Sequence, residues 1–137
     1  MISVTSVTSN YIIQPSLLEK HRKTLTWISS TLLWQREFNF FQKLLDQYAA
    51  KFSTVEHKKM IDHFQNLIIY YGHEVVPNLR KKLRDHEVRL ADMLQTKDEL
   101  KTEYFKEHDG IMQELEAFDV SFIEFKDSLF AFIEVVM

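Results

Sequence analysis

The sequence predicts an all-α chain folded as a long antiparallel three-helix bundle, and three observations carry that reading. Only two Gly and two Pro are spread over 137 residues, so turns are few and elements long. Apolar residues recur at alternating steps of three and four, the spacing of a packed helix face and not of a strand. Finally, the stretch 27–52 places Trp27, Thr31, Trp34, Phe38, Phe41, Leu45, Tyr48 and Phe52 on one such seam. Rings of that size, repeated over several turns, need a partner surface of comparable length.

Residues 1–14 are rich in Ser, Thr and β-branched residues, too poor in core material to fold alone, and read as a flexible tail. Residues 15–137 read as a single bundle domain. Helix one is predicted from Pro15, a residue suited to a first helical turn, to Phe52, with Leu18, His21, Leu25, Ile28 and Leu32 leading into the aromatic seam. Ser53 with Glu56 has the pattern of a capping box, so helix two restarts at once and must run antiparallel to helix one.

Helix two carries Met60, His63, Phe64, Leu67, Ile68, Tyr71 and Val75, then Leu79, Leu83, His86, Leu90 and Met93. Gly72 and Pro77 interrupt it. A kink or break is expected at Gly72–Pro77, and a sharp break would make four helices of three. Thr96 with Glu99 repeats the capping-box pattern and places the next turn near Gln95. Helix three then runs from about Lys97 to the end, on the seam Tyr104, His108, Ile111, Leu115, Phe118, Phe122, Phe125, Leu129, Phe132 and Val136. At about 1.5 Å per residue, such helices give a bundle roughly 60 Å long.

Composition narrows the function classes. Hydrophobic residues at 45% and charged residues at 27% are ordinary globular values. A net charge of −3 offers nothing to a phosphate backbone, so nucleic acid is not an expected partner. The absence of cysteine excludes disulfides, thiolate metal sites and Cys nucleophiles. No apolar run approaches the length of a membrane span, and the N-terminus lacks the pattern of a secretory signal, so a cytoplasmic location is the default expectation.

The polar residues on apolar seams are the candidate sites. Folding the chain back at the two predicted turns sets His21 level with His86, and His86 within a turn of His108. Three imidazoles in one layer are a metal-ligand set for Zn or another first-row transition metal, with Asp85, Glu87 and Asp109 near enough to serve as outer acceptors. The same rule sets Glu37 across from Tyr70 and near His73, Glu74 and Asp119, a second buried polar cluster. Neither the Glu-x-x-His step of ferritin-like di-iron bundles nor a His followed four residues later by Glu occurs here.

No catalytic motif is present, and no residue is assigned as catalytic or cofactor-binding. The expected function is therefore a non-enzymatic helical bundle that binds a protein partner or itself, most simply as a two-fold dimer. Apolar residues beside the seams, among them Ile68, Ile69, Val76, Phe105, Ile123, Phe130 and Ile133, would supply the surface. The alternative is a metal-binding bundle, built on His21, His86 and His108, with a sensing or storage role.

Overall fold

In the computed structural model, residues 15–96 and 101–137 are described, Lys101 by its backbone alone; the expected tail at residues 1–14 and Glu99 of the second capping pattern lie outside them. The described residues form an all-α bundle. The elements are α1 (Pro15–Ala49), α2 (Val55–Tyr70), a π-helical turn (Tyr71–Val75), α3 (Val76–Thr96) and α4 (Lys101–Glu134). No helix among the described residues is long and apolar enough to cross a membrane.

α1 begins at Pro15 and stops three residues before the expected Phe52. The Lys51 and Phe52 amides close tight turns onto the Tyr48 and Ala49 carbonyls at 3.0 and 3.2 Å. Phe52 is thereby free to turn inward. It is buried, and it stacks on Phe132 at 4.2 Å and 10°. The cap of α2 is Thr54, not Ser53: its hydroxyl accepts from the His57 amide at 3.1 Å. Position three of this helix is therefore His57, which cannot close a capping box, and Glu56 acts only as a favourable charge in the first turn. Thr96 ends α3, and its hydroxyl donates back to the Asp92 carbonyl at 2.9 Å.

The expected break at Gly72–Pro77 is a π-helical turn, and the chain stays helical from Val55 to Thr96. Proline lacks the amide for an ordinary helical bond and its ring crowds the carbonyl four residues back. One wide turn ahead of it meets both conditions: the Val76 amide bonds the Tyr71 carbonyl, five residues away, and the backbone at Tyr71 and Val76 stays in the right-handed helical region. Gly72 serves a separate purpose. It is buried, and a Cβ there would stand 3.1 Å from the Cβ of Phe38, so a side chain at this turn would fit only if α1 moved back by a few tenths of an ångström.

Contacts divide the chain into two compact units, to which α1 and α4 both contribute. The aromatic unit (residues 32–77 and 117–137) is a core of rings. Phe38 stacks on Phe122 at 4.5 Å and meets Tyr71 and Phe125, while Trp34 packs on Phe118 at 5.0 Å. The histidine unit, described over 15–31, 78–96 and 101–116, has an apolar base of Leu17, Leu90, Met93 and Tyr104. Here partners run in opposite order along α3 and α4: Lys82 meets Glu114, and Arg89 meets Glu107.

Several seam positions depart from the expected ones. In α1 the buried series is Leu17, His21, Thr24, Ile28, Thr31, Trp34, Phe38, Phe41 and Leu45, whereas Leu32 is exposed and Trp27 only half-buried. The buried threonines satisfy their hydroxyls on the Lys20 and Ile28 carbonyls at 2.9 and 2.7 Å. Met60 and His63 of α2 are exposed. Of the surplus apolar residues, Ile68, Val76 and Ile133 lie in the core, and Ile69, Ile123 and Phe130 remain exposed.

Candidate functional site: a buried histidine–carboxylate layer

The histidine unit places imidazoles where its helix faces otherwise bury leucine and methionine. His86 is 0% exposed, His108 3% and Glu87 0%. His86 and His108 are brought into direct contact, Nε2 to Nδ1 at 3.0 Å. The other ring nitrogen of His86, Nδ1, meets Oε1 of Glu107 at 2.5 Å, and Oε2 of Glu107 accepts from Arg89 at 2.6 Å. Tyr104 lies flat on the His86 ring, 4.2 Å away and 4° from parallel. His21, the third expected member, faces α3 one residue further along, where its Nδ1 contacts Oε1 of Glu87.

The hydrogen bonds dictate the tautomers. A carboxylate can only accept, so His86 Nδ1 carries the proton that goes to Glu107. The neutral His86 ring then offers Nε2 as an acceptor, and His108 must donate from Nδ1. What remains on His108 is a proton-free Nε2, on a ring that lines an open cleft with Lys20, Lys23, Asp109 and Glu116. The result is a single line, Arg89–Glu107–His86–His108, from an exposed guanidinium to a ring that lines a cleft.

Burial sets the charge states. It holds His86 below the ordinary imidazole value, although the hydrogen bond and charge of Glu107 pull the other way. Burial lowers His108 to about 4, helped by its neighbour His86 and by Lys20 and Lys23. His21 is lowered by burial and by Arg22. Tyr104 is raised, by burial first and then by the charges of Glu87 and Glu107. All three imidazoles are therefore neutral near pH 7.

With both nitrogens engaged, neutral His86 has no lone pair left for a metal ion while it keeps its partners. Among the described residues no group of three or more His, Asp or Glu side chains is placed to hold one. Of the outer acceptors read from the sequence, Glu87 reaches a histidine, while Asp85 pairs with Lys81 at 3.4 Å on the surface. Glu107, which joins His86 to Arg89, stands outside the residues that the sequence pattern marks. Its only sequence signal is adjacency to His108, and an acidic residue beside a seam ordinarily faces water.

None of the residues of the second expected cluster is fully buried. Glu37 is half-buried and accepts from Lys126 at 3.3 Å. Tyr70, His73 and Glu74 are exposed, and Asp119 is half-buried. α1 turns Gln42 toward α2, where it donates to Gln65 at 2.7 Å, and turns Glu37 toward α4. Comparison of the chain with protein-family models, curated proteins and solved structures finds no match.

Proposed function

We propose that the chain is a non-enzymatic helical module that docks onto a second copy of itself through the outer face of α1 and α4 in the aromatic unit. The observation that carries this is a pair of apolar stripes around one ion pair. Leu33, Glu37 and Phe40 follow one another at helical spacing on α1, and Ile123, Lys126 and Phe130 do so on α4. The Glu37–Lys126 contact brings the two stripes side by side, and Phe130 reaches the Phe41 ring at 5.6 Å. Leu33, Phe40 and Ile123 are each more than half exposed, at 58%, 52% and 56%.

Large apolar side chains grouped in this way mark association surfaces more often than solvated ones. The occupant follows from the charges. One acid beside one base, flanked by apolar residues, makes a face that is its own electrostatic complement under a two-fold axis. A strongly charged partner would find nothing to pair with here.

Sedimentation equilibrium at high micromolar concentration tests the reading. The wild-type chain is expected as a dimer, and the double variant Phe40→Glu, Ile123→Glu as a monomer with unchanged helical circular dichroism. A monomeric wild type, or a variant that dimerises as well as the wild type, overturns it.

A further inference from the structure

The histidine unit holds a group that self-association does not use: two imidazoles hydrogen-bonded to each other inside a core. We propose that the His86–His108 pair is an acid-operated latch, closed by one imidazole–imidazole hydrogen bond and released when both rings become protonated. The geometry sets the count. A first proton, taken at the unprotonated Nε2 of His108, leaves the His108 Nδ1–H still donating to His86 Nε2. A second has only His86 Nε2 to occupy. Two N–H groups then point at each other across the 3.0 Å now bridged by one hydrogen bond, and two cations share a site with almost no water.

Groups facing the pair from each element modulate this without removing it. From α1, Lys20 and Lys23 oppose charge on His108. From α3, Arg89 opposes charge on His86. From α4, Glu107 favours it on His86 and Asp109 on His108. Tyr104, stacked on His86, contributes a neutral ring. Glu107 can offset one positive charge at this site, but it already shares its second oxygen with Arg89.

The direction with pH follows. Both rings bind protons less readily in the fold than in the open chain, so their contribution to stability is complete above the ordinary imidazole value of 6.5. It is lost as pH falls toward the value of about 4 that His108 has in the fold. The opening is local because the partners that hold the pair, Glu107 and Tyr104, belong to its own unit.

The experiment uses the full chain. Ring ¹⁵N spectra at neutral pH should show Nδ1–H tautomers for both His86 and His108. Amide exchange, corrected for the intrinsic effect of pH on exchange, should rise at least about tenfold between neutral pH and about pH 4.5 in segments 83–90 and 104–111, with little change in the aromatic unit. The variant His86→Leu, His108→Leu should lose that response. Should that variant fail to fold, the wild-type spectra decide alone: both rings protonated while exchange stays slow overturns the latch. Equal acceleration in both units, or an unchanged response in a folded double variant, overturns it too.

Discussion

Two buried side-chain arrangements make opposite demands on substitution. At Gly72 the demand is for space. Alanine there gains about 1 kcal/mol of helix propensity but brings its Cβ to 3.1 Å from a Cβ that cannot rotate away. Gly72→Ala should therefore destabilise, by about 1–3 kcal/mol in denaturant unfolding, as overpacked cores do. At His21 and Glu87 the demand is for both partners at once. His21→Leu alone leaves a carboxylate with no exposure, a loss of about 3 kcal/mol or more, while His21→Leu with Glu87→Met should cost clearly less. A double variant no better than the single one would show that the contact carries little energy. The meeting of His86 and His108 was legible in the sequence, because both replace leucines on their seams and the turns set them within a helical turn of each other. The position of Glu37 was not. The level of a residue along a bundle fixes its height, and only packing decides whether it faces the second helix or the last.

Elements were legible in number and approximate extent, since the three-and-four spacing persists through each. Their ends were less so. Ser53 and Thr54 are equally good caps by type, and the choice between them depends on Phe52 being drawn into the core. The Thr96–Glu99 pattern put a turn near Gln95, whereas α3 runs on to Thr96, whose hydroxyl bonds back within its own helix. Gly72 and Pro77 announced a disturbance without saying which kind. The π-helical turn already relieves the crowding at Pro77, so Pro77→Ala should stabilise the chain by well under the roughly 3 kcal/mol of a proline in an ordinary helix. An unchanged or lower unfolding midpoint would show that the wide turn is held by packing around Gly72 and not by the proline. Thr54→Ala should cost about 1 kcal/mol, the usual effect of losing a cap.

For the molecule as a whole, division of labour follows from composition. The large apolar residues that make the aromatic unit so dense also leave a surplus on its surface, and Phe40, Ile123 and Phe130 belong to that surplus. Phe122→Ala, at the centre of the ring cluster, should destabilise by about 3–5 kcal/mol. A loss under about 1 kcal/mol would mean that the cluster is not a core. Association through the outer face is the central claim, and paramagnetic relaxation between copies tests it most directly. The chain has no cysteine of its own, so Asp127→Cys carries a single spin label beside the stripe and leaves its apolar residues intact. Mixed with ¹⁵N-labelled chain that carries no spin label, it should broaden the amides of Leu33, Phe40 and Phe130 on the partner copy and spare the exposed side of α2 in the same unit. Broadening absent from the α1–α4 face, or centred on α2 instead, would contradict the account.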